Sequence, residues 1–368
     1  MAKTNRKKSK HNSRGKTAAR EKPSPSSEVP QAEDVADLLN LARSEGDPFH
    51  AITLYKKALE AKPEDTLIIG EAAELLLQIG DTSTAKEVLT RSISLAPEEG
   101  PDKYLNMAQL HEGREALEFY HKGLAIMQKQ LGNGDDNNKR QHLKQRLCIA
   151  YCSVGELFLT DLCFEEDAEK RCQDALNKSM MYDYGGPEPP HSLANLRLSQ
   201  GNVEEAAQSA EESFRRMCLC ESPPEHEFRV SLAKVLLECS TTNDECSEKA
   251  LEVLSGLMQE DDENVEVWYL TAVAFNSLRP PDFESARTYL NRADDMLSKI
   301  KQAQEEMGEN FAYEDQVQLV REQLEVTASA AAERNSGKDR DAGSEDSSLS
   351  RTDMMSGTER SEVEMDCA

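Results

Sequence analysis

The chain has 368 residues, enough for more than one domain, but only 5% of them are aromatic and 38% hydrophobic, which is thin for an enzyme built round one deep core. A formal net charge of −26 argues against a direct nucleic-acid partner. No apolar run is long enough to span a membrane, the start lacks the apolar core of a secretory signal, and nine cysteines without such a signal fit a reducing compartment.

The charge is unevenly placed. Residues 1–22 hold nine Lys/Arg against one acid, Glu21, which leaves 34 basic and 68 acidic residues in the remainder. Residues 1–31, basic and then Ser/Pro-rich, read as a disordered arm. Within it Lys3, Arg6, Lys7, Lys8, Lys10, Arg14 and Lys16 form a candidate nuclear-import signal. Phosphate contact and a plain solubilising tail are the other readings of the arm.

From Ala32 the chain turns periodic. "AITLYKKALEAKP" (residues 51–63) and "AKEVLTRSISLAP" (85–97) share a frame of 34 residues, which also aligns Gly46 with Gly80 and Asp47 with Asp81. Ala51, Tyr55 and Ala58, like Ala85, Leu89 and Ser92, stand at i, i+4 and i+7, one stripe of a helix. The preceding glycine suits a tight turn and the closing proline stops the helix, so the unit is helix, turn, helix, stop. This frame resembles the tetratricopeptide (TPR) repeat, which implies an all-α helical-repeat solenoid.

Five further frames follow. The third ("DKYLNMAQLHEGREALEFYHKGLAIMQKQ") has a shortened turn and the stripe Ala116, Tyr120 and Gly123, and "GNGDDNNKR" (132–140) reads as a long polar loop. The fourth places Tyr151, Val154, Gly155 and Phe158 on its first helix and Ala168, Cys172 and Ala175 on its second, ended by "YGGPEPP". The fifth has Ala206, Ala210 and Ser213, the sixth Ala250, Leu254 and Leu257, the seventh Trp268, Ala272 and Phe275 with Ala286, Leu290 and Ala293. Asn264 is placed to cap the seventh. Lys299–Asn310 also reads as helical, and a last helix over 312–333 reads as the polar cap that a solenoid needs. The expected organisation is a basic arm (1–31), about seven irregular helix pairs with a capping helix (32–333) and an acidic disordered tail (334–368).

No catalytic constellation is visible. Cys148 and Cys152 share a helix face with Cys163 and Cys172 near in sequence, but small buried hydrophobes explain them better than a zinc site. "CLC" (218–220) has no zinc spacing, the polar loop lacks the EF-hand pattern, and no Gly-rich phosphate loop occurs. No enzyme activity, metal or cofactor is expected.

In a repeat stack the first helices line the inner face, where extended peptides bind. The candidate client-binding residues are Glu74, Leu77, Cys152, Glu156, Asn195, Tyr269, Val273 and Asn276, with Asn40, Arg43, His191 and Lys234 on the same frames. The Lys/Asn/Arg clamp of TPR proteins that hold chaperone C-termini is not present. The basic leader, the seven irregular repeats, "KYLNMAQLHEGREALEFYHKGLAIM", "EVWYL" and the acidic end together resemble one family, the dedicated assembly chaperones of large-subunit ribosomal protein number four. The resemblance implies a non-catalytic partner for a basic ribosomal protein, held by an extended segment before assembly into the large subunit. The arm, read as an import signal, adds an expectation of shuttling between nucleus and cytoplasm, with an import receptor as a further partner. The alternative is a TPR scaffold subunit without a basic client.

Overall fold

The computed structural model describes residues 32–133 and 136–342. The candidate import signal therefore lies outside the described residues, as does the tail beyond Ala342. Among the described residues all regular structure is α-helical, in fifteen helices: α1 (Ala32–Ser44), α2 (Pro48–Ala61), α3 (Thr66–Gln78), α4 (Thr82–Leu95), α5 (Asp102–Gln109), α6 (Gly113–Asn133), α7 (Asn137–Leu159), α8 (Ala168–Met181), α9 (Glu188–Ser199), α10 (Val203–Cys218), α11 (His226–Cys239), α12 (Glu245–Glu260), α13 (Val265–Ser277), α14 (Phe283–Met307) and α15 (Glu314–Ala342). None of these is long and apolar enough to cross a membrane.

Odd- and even-numbered neighbours pack as pairs: α1 on α2, α3 on α4, α7 on α8, α9 on α10, α11 on α12 and α13 on α14. The fold falls into two compact units, one ending at Leu110 and the other beginning at His111. The boundary lies between α5 and α6, where the sequence places the shortened turn of the third frame; α5 packs on α4, and α6 on α7.

The 34-residue frame has a concrete cause. Asp47 and Asp81, which follow the aligned glycines, are the N-caps of α2 and α4, with side chains accepting from the amides of Phe49 and Thr84. An unmet helix-end amide is satisfied in each case, an exchange commonly worth about 1 kcal/mol. Pro63 and Pro97 stand two residues beyond the last residues of α2 and α4. The second-helix stripe is the seam of the fold. Ala206, Ala210, Ser213, Ala250, Leu254, Leu257, Ala286, Leu290 and Ala293 are all wholly buried. Small residues in this stripe admit the neighbouring helix closely, and bulky ones fill the space between. The same logic fixes Gly155 on α7, where an added Cβ would stand 2.8 Å from Leu176 Cδ2 and 3.8 Å from Cys172 Sγ of α8.

Three expectations from the sequence change. The polar stretch 132–140 is mostly helix end, because α6 continues to Asn133 and Asp136 caps α7 by accepting from Asn138 and Lys139. The stretch Lys299–Asn310 is helical as expected but stops short of Asn310: it is the end of α14, which runs unbroken from Phe283 to Met307 and closes at Gly308, whose φ of 74° is the left-handed cap conformation. α15 continues to Ala342, past the residue 333 at which its apolar pattern stops. The added stretch holds no proline and a single glycine, Gly337, so its polar composition still permits a helix.

The seventh pair closes on an aromatic cluster. Trp268 lies 5.2 Å from Tyr289, which stacks on Phe275 at 5.3 Å. The Trp268 indole N–H donates to Asp262 O at 2.8 Å, and the Arg292 guanidinium sits 5.6 Å over the ring.

Candidate functional site

In the first unit, Glu74 is exposed and Leu77 half-buried on α3. Glu74 helps to line a cavity of ≈ 430 Å³ with Arg43, Glu45, Tyr55 and Glu71. The Arg43 guanidinium binds Glu71 in a fork, at 3.0 Å and 2.6 Å, and the Tyr55 hydroxyl donates to Glu71 at 3.0 Å. Burial first, and then the Glu71 carboxylate, push the Tyr55 hydroxyl up to about 12. Arg43 is thus committed to an internal carboxylate, and Asn40 is simply exposed.

In the second unit the first helices adjoin in order, α7 on α9, α9 on α11 and α11 on α13. Polar side chains stitch the row. His191 Nε2 lies 3.0 Å from Ser231 Oγ and 3.3 Å from Asn195 Nδ2. Lys234 pairs with Glu266 at 2.6 Å, and Asn276 Nδ2 donates to Thr327 Oγ1 of α15 at 2.8 Å.

Only part of the predicted set is open on this row. Glu156 is exposed, while Asn195, Tyr269 and Val273 are half-buried. Cys152 is 5% exposed and a free thiol, in hydrogen-bonding reach of Cys148 on its own helix, Ser179 of α8 and Ser192 of α9. It packs α7 against α9 and offers no surface to a ligand. Asn276 is occupied by α15, which reaches the row at Thr327, itself 2% exposed. Burial likewise explains the other interior cysteines. It raises the thiols of Cys172 and Cys239 to about 11 and that of Cys246 to about 12, which keeps them protonated and inert. Among the described residues no cluster of His, Cys, Asp and Glu could hold a metal ion.

A groove of ≈ 900 Å³ opens at the start of the row. Its floor and walls come from Gln145 and Ile149 of α7, the 184–188 segment before α9, the end of α10 and the 219–225 segment that leads to Phe228 of α11. The wall is braced by Arg216. This guanidinium donates to both carboxylate oxygens of Asp183 (2.9 and 3.0 Å), to Gly186 O (3.1 Å) and to Glu212 (2.7 Å). One aromatic side, Tyr184, lies directly against the backbone of Gly186, where an added Cβ would stand 2.1 Å from the ring. Its hydroxyl donates to Glu188. The other, Phe228, meets His191 edge-on at 5.0 Å.

Charge in the groove is one-sided. Glu188, Glu221 and Glu225 line it, and its single cation, Arg216, is already shared by two carboxylates. Glu221 and Glu225 are exposed and form no ion pair among the described residues. Pro223 and Pro224 between them restrict the backbone that carries them. Leu219, 71% exposed, adds apolar surface at the rim. An acidic, aromatic-walled groove of this size suits a short stretch of basic chain with apolar side chains in it.

Sequence reasoning missed this groove. "YGGPEPP" reads as a helix terminator and "CLC" as a failed metal motif, since inter-helix segments carry no periodicity. The usable signal is an aromatic beside Gly-Gly followed, one pair later, by Pro-Pro flanked by acids.

No family model matches the chain. A protein of Schizosaccharomyces pombe described as a probable assembly chaperone of rpl4 is 33% identical over 251 residues, which span 64% of this chain and 71% of that protein. One of Emericella nidulans with the same description is 27% identical over 264 residues, 65% of this chain and 64% of that protein. Among solved structures, residues 1–338 of the assembly chaperone of RpL4, Acl4, superpose with a TM-score of 0.57 at 26% identity, covering 66% of this chain and 94% of that one.

Proposed function

The chain belongs to the family of assembly chaperones of Rpl4, and from that premise we propose that it holds its own Rpl4 through a basic segment until the large ribosomal subunit takes it up. The observation that carries this reading is the groove on the second unit, which combines free carboxylates, aromatic walls and no spare cation.

The physical sequence of events follows from those groups. Ribosomal proteins are basic and carry extensions that fold on RNA, so a free segment repels itself and binds polyanions indiscriminately. Glu188, Glu221 and Glu225 supply counter-charge and steer encounter, while Tyr184, Phe228 and Leu219 cover apolar side chains and slow escape. Glu156, exposed on α7, is the one acid of that helix and adds a further carboxylate beside the row. Ribosomal RNA, with a far higher density of negative charge, then outcompetes the groove. No bond is made or broken, and the protein acts by binding alone. The basic arm, by its composition, serves as an import signal and gives the protein access to the nucleus.

The test is co-expression with Rpl4 of the same organism, followed by affinity measurement at 50 mM and 300 mM salt. Screening shortens the Debye length from roughly 14 Å to about 6 Å over that range, so binding should weaken at least tenfold. Failure to bind Rpl4 refutes the proposal; salt-insensitive binding refutes its electrostatic basis.

A further inference from the structure

We infer that the groove between α7, α10 and α11 selects arginine over lysine in the segment it binds. This rests on the proposed function and names what its site reads.

The walls supply the two things that distinguish a guanidinium from an ammonium. The first is flat aromatic surface held in place. The Tyr184 ring is laid on the Gly186 backbone and tied to Glu188 through its hydroxyl, and the Phe228 ring is fixed by the edge contact with His191. The second is carboxylate oxygens beside those rings. Glu221 and Glu225 have no cation of their own, and the prolines between them limit how far they can follow a ligand. A planar guanidinium stacks on a ring face and still donates through its edge to a carboxylate in two parallel bonds. An ammonium is a compact, strongly hydrated charge. It can pair with the carboxylate, but it gains less from the ring and loses more hydration.

The molecule already uses guanidinium in this way. Arg216 closes one wall of the groove by donating to Asp183, Gly186 and Glu212 together. On the adjoining pair Arg171 lies 4.4 Å over the Phe158 ring while its edge donates to Glu165 at 2.7 Å, which is the stack-and-fork arrangement inferred for the ligand. A groove of ≈ 900 Å³ also leaves room for the chain on either side of a bound side chain.

The experiment uses the full chain and two fluorescent twelve-residue peptides with identical Gly, Val and Pro spacers, one carrying three arginines and the other three lysines. Fluorescence anisotropy should give at least about fivefold tighter binding of the arginine peptide, equivalent to about 1 kcal/mol. Glu221→Gln with Glu225→Gln should bring the ratio close to one, whereas Glu325→Gln, on the exposed face of α15, should leave it unchanged. Both variants keep every buried contact, and circular dichroism checks that they stay folded. Equal binding of the two peptides, weakened alike by the double substitution, overturns arginine selection and leaves the groove as the basic-segment site. Binding of Rpl4 that is indifferent to the double substitution overturns the groove itself.

Discussion

Replacing Gly155 by alanine should destabilise the second unit, although alanine is the better helix former. Gly155 is inside α7, so helix propensity alone favours alanine by about 0.5–1 kcal/mol. Packing opposes it. The new methyl would arrive 2.8 Å from Leu176 Cδ2 and 3.2 Å from Leu176 Cγ, and Leu176 is 2% exposed with no free space to swing into. Overpacking of this kind costs about 1–3 kcal/mol, and a fully enclosed partner puts it near the upper end. The net expectation is a loss of about 1–2 kcal/mol. Gly256, inside α12, is the control, since nothing lies within 4 Å of an added Cβ there. Gly256→Ala should gain about 0.5–1 kcal/mol. The same chemical change thus carries opposite signs at two sites of one unit. Urea unfolding followed by far-ultraviolet circular dichroism gives the signs, and hydrogen exchange should place the loss in α7 and α8. A Gly155→Ala protein as stable as the wild type, or more so, would refute the close-packing argument.

Gly186→Ala should displace the Tyr184 ring, break its bond to Glu188 and lower affinity for Rpl4 roughly tenfold, with the helical signal unchanged; an unaltered affinity would mean that the ring is not an anchor. Burial holds His191 down at about 4 against 6.5 for the free side chain. Between those values the unfolded chain binds more protons than the folded one, so the contribution of His191 is complete above pH 6.5 and is lost as pH falls towards 4. The whole effect is about 3 kcal/mol at most, and His191→Gln should flatten the fall in melting temperature over that window. Deleting residues 1–22 should move a fluorescent fusion from nucleus to cytoplasm while leaving Rpl4 affinity intact; collapse of affinity with unchanged localisation would show that the arm belongs to the binding surface.

The repeat was legible because its buried stripe is forced by geometry. Ala206, Ala210 and Ser213 must be small where two helices touch, and that requirement leaves a spaced pattern in the sequence. Polar helix ends leave no such pattern, so Gly132, Asn133 and residues 137–140 read as loop although their backbone is helical. The inner-face residues were only half legible for a related reason. Spacing places Cys152 and Glu156 on one side of α7, but it cannot tell which of them meets α9 and which meets solvent. The groove was illegible because its walls are segments between helices, brought together by Arg216 reaching from α10 to Asp183 and Gly186.

Trp268 is the chain's one tryptophan, packed between Tyr289 and Arg292 and bonded to Asp262 O. Its emission therefore reports on the last helix pair and carries no signal from the unit that ends at Leu110, whose interior has Tyr55 in place of an indole. A fluorescence melt follows one unit, and circular dichroism follows both. The separation between the two curves becomes a direct measure of whether the halves unfold together, obtained without a label or a truncation.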